Sequence, residues 1–249
     1  GTDPDRIAIL DNFCWPSCGK EENLGSLVRA AHACYDGAKA YKAPFVSGKD
    51  SLNNQFTTED GVTIEIPPTL LITGMGIVHD LGTCVTSDAK STGNTLVLVG
   101  NPQGKLTGSH AQQLGFAEAN GMPSVDLVEG PKTAHAIHTL IENGLVRSAH
   151  DVSDGGVVCA IAEMLIAGSS SDAPIGFDAS EDLDWALAYD ESPSCYVLEV
   201  EDENAVRSAL GDIPLRRLGT LSDSGRMTWD TLDASVEELT RAWRSPLDW

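Results

Sequence analysis

A chain of 249 residues, 41% of them hydrophobic, has apolar mass for a sizeable core, and none of its apolar runs approaches the roughly 20 residues of a helical membrane span. Sixteen basic against thirty-seven acidic residues leave a formal net charge of −21, which repels a phosphate backbone and argues against nucleic acid as a partner. Small phosphorylated ligands are not excluded, because a few lysines, backbone amides and divalent cations can reverse the field inside one cleft.

In chain order, Ile7–Leu10 reads as a short strand, Asp11–Asn23 as a polar turn region, and the Ala-rich stretch Leu24–Tyr41 as a helix. Ala43–Ser47 follows as a second strand, then a turn at Gly48-Lys49-Asp50-Ser51, a loop around Thr57–Gly61 and a strand over Leu70–Val78. The helix between the first two strands makes them a parallel pair joined by a crossover, which puts Asp11 and the Gly48 turn at the same end of a sheet. A composition change between about Val85 and Asn94 marks a domain boundary, after which Thr95–Gly100 reads as a buried strand. Beyond it, helices are expected over Lys132–Asn143, Val157–Ala167, Glu203–Leu210 and Ser235–Trp243, with a strand at Cys195–Val200. Trp185, Trp229, Trp243 and Trp249 read as packing or terminal residues. The six cysteines are scattered, with no secretory signal before them, as in a chain kept in a reducing cytoplasm. The opening Gly1-Thr2-Asp3-Pro4 runs almost directly into a strand, the pattern of a piece cut from a longer protein.

Two constellations carry chemistry. The stretch Ala149-His150-Asp151-Val152-Ser153-Asp154-Gly155-Gly156 packs carboxylates, a hydroxyl and a glycine pair before an apolar helix that ends at Gly168, a residue suited to a left-handed C′ position. Asp154 is placed to cap that helix, and the glycines would let an anion approach unpaired N–H groups at its N-terminus. Asp151 and Ser153 could then hold Mg²⁺ and a phosphate oxygen, since hard cations take carboxylate ligands and share the phosphate. A turn that merely caps a buried helix explains the same letters. His150 is expected to hold the turn by a ring hydrogen bond, and His135 and His138 to be surface or packed residues. The second constellation, Ser47-Gly48-Lys49-Asp50-Ser51, offers backbone, ammonium, carboxylate and hydroxyl together, although it lacks the Walker A spacing. An Asx turn at Asp11 and a solvated end at Lys49-Asp50 is its plainer reading.

These motifs, with Val85-Thr86-Ser87-Asp88-Ala89-Lys90, Leu106-Thr107-Gly108-Ser109 and Tyr189-Asp190-Glu191-Ser192-Pro193-Ser194, stand in an order that resembles the phosphoribosylformylglycinamidine synthases. Those enzymes are members of the aminoimidazole-ribonucleotide-synthetase-like superfamily, and the resemblance runs over essentially the whole chain. It implies an α/β (α+β) fold: residues 1–85 as the latter part of a dimerising domain, 86–225 as its C-terminal-type α-β sandwich companion, and 226–249 as a strand and helix tail. It also implies ATP-dependent conversion of formylglycinamide ribonucleotide to the amidine with glutamine-derived ammonia, in the cytoplasm.

By the same resemblance Asp11, Gly48 and Lys49 contact ATP and Ser51 contacts substrate, while Asp151 and Ser153 are the metal- and nucleotide-binding pair of an auxiliary, non-turnover site, Asp151 binding Mg²⁺ and Ser153 the ATP. Lys49 stands where short-chain members carry a metal-binding asparagine, and an ammonium cannot ligate Mg²⁺, so contact with phosphate is its implied role. Partners implied are a glutaminase subunit or domain, with room for a small bridging subunit. No catalytic residue falls in this chain, and alone it is expected to be inactive. A module with an auxiliary or structural nucleotide, or another superfamily member such as selenophosphate synthetase, are the alternatives.

Overall fold

The computed structural model describes residues 1–170, 172–182 and 184–247, so Trp249 and the last two residues of the tail lie outside the described residues. The chain divides into two compact units, Thr2–His79 and the portion from Asp80 on.

In the first unit, β1 (Thr2–Cys14) is the centre of a three-stranded sheet. It pairs in parallel with β2 (Phe45–Ser51) and antiparallel with β5 (Thr69–Val78), and α1 (Glu21–Ala40) makes the crossover between β1 and β2. The parallel pairing follows from the helical crossover, as expected. Two boundaries differ from the sequence reading. Asp11 lies within β1, not after it, and Gly48-Lys49-Asp50-Ser51 is the second half of β2, not a turn. The ladder explains both, since Asp11 pairs with Gly48 and the register runs on to Cys14 with Ser51, giving this polar stretch strand partners despite its turn-like composition. A hairpin of β3 (Gln55–Thr57) and β4 (Thr63–Glu65) turns at Gly61, whose φ of +83° needs glycine. Trp15, beside the β1 end, is buried, packs on Phe13 at 5.5 Å and donates its indole N–H to Ser26.

The second unit is built on a seven-stranded mixed sheet. Its strands are β6 (Thr95–Val99), β7 (Ser148–Asp151), β8 (Gly176–Ala179), β9 (Tyr196–Val200), β10 (Leu215–Ser222), β11 (Arg226–Trp229) and β12 (Leu232–Ser235). They lie in the order β12-β11-β8-β10-β6-β9-β7, antiparallel except for β8 with β11. Side chains on successive strand residues point to opposite faces, and β6 has apolar residues on both. Leu96 and Leu98 enter a core with α4 (Gly156–Gly168) and α7 (Val236–Arg244). Val97 and Val99 enter another with α3 (Glu129–Glu142) and α6 (Glu203–Leu210). All five β6 residues are buried, which is why this strand reads as a continuous apolar run. Two one-turn helices complete the unit, α2 (His110–Gln113) and α5 (Trp185–Ala188). The α7 start is set by a capping box of Ser235 and Glu238. Trp229 is buried against Phe177, whereas Trp185 is exposed and stacks on Tyr189.

Gly168 is the last helical residue of α4 and is followed by an extended Ser169, so it is not a left-handed C′ glycine. Its small size serves a close approach: a Cβ there would lie 2.8 Å from the Ala89 backbone nitrogen and strike its carbonyl oxygen.

Candidate functional site

The His-Asp-x-Ser-Asp-Gly-Gly stretch spans an edge strand and the head of a helix. β7 ends at Asp151, Val152 turns inward with its N–H on the Cys195 carbonyl (2.9 Å), and α4 begins at Gly156. Asp151 and Ser153 are exposed, so their oxygens face solvent and not the core. His150 Nδ1 meets the Asp151 carbonyl at 2.7 Å and Nε2 meets Glu163 Oε2 at 3.0 Å. The ring therefore braces the turn against α4, as the sequence reading expected. His138, half-buried on α3, reaches Glu142 with Nε2 at 3.4 Å.

The head of α4 departs from the sequence reading. Asp154 caps nothing: the N-cap is Gly155, at φ +81°, and the Asp154 side chain is 88% exposed. Nor are the glycine amides open to an anion. Gly155 N–H donates to Glu191 Oε1 at 2.8 Å and Gly156 N–H to the Ser153 carbonyl at 2.9 Å. A carboxylate from 36 residues away thus occupies the positive end of the helix. The two glycine amides are thus taken, and Ser153 and a cation on Asp151 are the groups of this turn left to hold a phosphate.

Sequence reasoning did not single out the role of Asp190-Glu191-Ser192. Asp190 is fully buried and accepts from the backbone N–H groups of Gln103, Gly104 and Ser192. Glu191 accepts from His110 N–H at 2.9 Å as well as from Gly155, and Ser192 Oγ takes a second bond from Gln103. These three residues fasten the 103–110 segment to the turn before α4. The Cys195 thiol beside them is pushed up to about 12, by burial first and then by the charge of Asp190, so it stays protonated.

At the other end of β7 from the turn lies a fully buried carboxylate. Glu199 in β9 accepts from Lys90 N (2.8 Å), Ser91 N (3.0 Å), Asn94 Nδ2 (2.6 Å) and Ser148 Oγ (2.8 Å). It stands opposite Ser148, the first residue of β7, and so ties the entry to β6 to the strand that presents Asp151.

In the first unit, Asp11 and Gly48 face each other across β1 and β2. A Cβ on Gly48 would lie 2.8 Å from Asp11 Cγ and 2.9 Å from Oδ2, and would strike Oδ1. Glycine is what leaves room for the carboxylate over this strand. Lys49 and Ser51 share the other face of β2, and the Lys49 ammonium donates to Ser51 Oγ at 2.6 Å.

Residues 91–230 match the family model of AIR synthase related protein, C-terminal domain. The chain belongs to the AIR synthase related family. Phosphoribosylformylglycinamidine synthase subunits PurL of Brucella ovis and Brucella canis are each 32% identical to it over 97% of the chain. The chain spans about a third of the length of those relatives, 32% in each case. Among solved structures, PurLQS of Thermotoga maritima superposes with a TM-score of 0.66 at 16% identity, over 95% of this chain and 38% of that one. HypE of E. coli superposes at 0.61 and 16% identity, over 92% of this chain and 72% of that one. At such identities the two structures show the AIR synthase-like fold alone. Among the described residues no helix is long and apolar enough to cross a membrane.

Proposed function

We propose that this chain supplies nucleotide- and substrate-binding surface to an ATP-dependent C–N ligase that converts formylglycinamide ribonucleotide and ammonia to the amidine. The observation that carries this reading is the 32% identity to PurL subunits along 97% of the chain. In this reading residues 1–85 are the latter part of a dimerising domain, 86–225 its companion and 226–249 the tail. The substrate is formylglycinamide ribonucleotide, and a glutaminase subunit or domain delivers ammonia, with a small bridging subunit in the assembly and the cytoplasm as its location.

Two separate donor sets fit a nucleotide, one in each unit. In the second unit Asp151 offers an exposed hard oxygen and Ser153 a hydroxyl two residues on, which suits a magnesium nucleotide of the auxiliary kind, and in the first unit Gly48 leaves a notch over Asp11 that a Cβ would fill. Asp151 would hold Mg²⁺ and Ser153 a phosphate oxygen. Asp11, Gly48 and Lys49 would contact ATP, and Ser51 the substrate. ATP held at the Asp11 set would supply the phosphate that activates the amide oxygen, whereas the nucleotide on Asp151 and Ser153 would not turn over. The chain's own residues bind and orient, which is the main work of phosphoryl transfer. His150 holds the backbone of Asp151 while Glu191 fixes the start of α4.

Calorimetric titration with Mg·ADP tests the assignment. The chain should bind, and Asp151→Asn should weaken binding by roughly tenfold or more, as losses around a metal do. No binding by the unaltered chain, or equal binding by the variant, refutes it. Turnover is expected to be absent: the chain alone should release no ADP in response to formylglycinamide ribonucleotide.

Gly48→Ala is a milder probe of the first unit. The added methyl meets the end of a side chain, so Asp11 swings aside while the ladder stays intact. Mg·ATP affinity of the assembled enzyme should fall several-fold, with the midpoint of thermal unfolding almost unchanged. Unchanged affinity would remove Asp11 and Gly48 from the nucleotide site.

A further inference from the structure

Three donor atoms converge in front of the α4 turn. His110 Nδ1, Asp154 Oδ1 and Glu191 Oε1 all lie within 4.8 Å of one another, although their segments are far apart in the chain. The imidazole nitrogen stands 3.2 Å from Glu191 and 3.9 Å from Asp154. First-row divalent ions hold nitrogen and oxygen ligands at about 2.0–2.2 Å, which sets neighbouring ligands roughly 3 Å apart. The 3.2 Å His110–Glu191 contact is a hydrogen bond, which an ion would replace by taking the ring nitrogen and the second oxygen of the carboxylate. Asp154, exposed and accepting no hydrogen bond among the described residues, closes the remainder by rotating its side chain.

Two features distinguish this group from scattered surface acid. Glu191 is fixed in place because its Oε1 accepts from the backbone N–H groups of His110 and Gly155, so the carboxylate is oriented before any ion arrives and its second oxygen, Oε2, is left to take the ion. Two carboxylates meet at one imidazole in a chain of net charge −21, which leaves local negative charge whichever form the ring takes. An imidazole nitrogen with two carboxylates suits a borderline transition ion better than Mg²⁺, which prefers oxygen ligands throughout.

We infer that His110, Asp154 and Glu191 form a binding site for a first-row divalent transition ion, separate from Asp151 and Ser153 and independent of the nucleotide reading. Such an ion joins the start of α2, the turn before α4 and the segment after α5 through one centre.

Mn²⁺ is the probe, because it takes carboxylate oxygen in preference to the six cysteine thiols and its unpaired electrons report a ligating imidazole. The whole chain, freed of metal, is titrated with Mn²⁺ alone and followed by electron paramagnetic resonance, including the coupling of a ligating ¹⁴N. One bound Mn²⁺ should show imidazole nitrogen coupling. That coupling should vanish in His110→Ala, affinity should drop at least severalfold in Asp154→Asn, and Asp151→Asn should leave both intact. Both altered side chains at the site are substantially exposed, so the fold should survive, as circular dichroism will show. The inference is overturned if no nitrogen-coupled Mn²⁺ appears, if the coupling persists in His110→Ala, if Asp154→Asn binds unchanged, or if Asp151→Asn abolishes the signal.

Discussion

Glu199→Ala should be among the most damaging single changes in this chain, lowering stability by about 3–5 kcal/mol, since each buried donor left without an acceptor costs about 1–3 kcal/mol and part of the loss is relieved by relaxation. Four donors converge on this carboxylate where water does not reach, and alanine leaves Lys90 N, Ser91 N, Asn94 Nδ2 and Ser148 Oγ without their acceptor. Each kilocalorie corresponds to about 2–4 °C in a domain of this size, so the loss is on the order of 10 °C in a thermal melt. Glu199→Gln separates shape from charge. Its amide NH₂ fits best at the Oε2 position, where the Ser148 hydroxyl can turn to accept, but there it still confronts the N–H of Lys90. One orphaned donor costs about 1–3 kcal/mol, so glutamine should fall between wild type and alanine in urea unfolding. Equal stability of all three proteins would show that the network contributes nothing.

Gly156→Ala is the second large effect. The residue sits at φ +75°, and a Cβ there would lie 2.6 Å and 2.8 Å from backbone atoms of Tyr189 and 2.9 Å from the Ala188 carbonyl. A left-handed alanine costs roughly 1–2 kcal/mol. Forcing the Tyr189 backbone aside adds about another 1–3 kcal/mol, since backbone cannot rotate away as a side chain can. Gly155→Ala is the matched control. It has a similar φ of +81°, but the added methyl meets only the Cys159 side chain, whose thiol can turn about χ1 where a backbone cannot. Urea unfolding should place Gly156→Ala well below Gly155→Ala. If the two coincide, the contact with Tyr189 is not what requires glycine at position 156.

The elements that could be read from the sequence carry their own periodicity. Glu203–Leu210 is a helix with the expected bounds, and β6 and β9 announce themselves as apolar runs. The parallel placement of β1 and β2 followed from the crossover alone, which made Asp11 and Gly48 legible as neighbours. What stayed hidden depends on distant partners. Ser148-Ala149-His150-Asp151 has no strand-like alternation and is a strand only because β9 lies beside it. Asp154 has the composition of a helix cap, yet the carboxylate at the helix head is Glu191, and its other anchor, His110, is 81 residues away. Glu199 reaches Lys90 across 109 residues. No local pattern encodes such pairings, although an acidic residue inside an otherwise apolar strand, as in Tyr196-Val197-Leu198-Glu199-Val200, is a signal that something must satisfy it.

The pairing of Asp11 with Gly48 has a further meaning for how a ligand is met. The two residues are each other's partners in one ladder, so the carboxylate and the gap beside it come into being when the sheet does. A ligand arriving there would find a preorganised surface and would spend little of its affinity on freezing chain entropy. A substitution at either position therefore reshapes that gap in the free protein, before any ligand meets it.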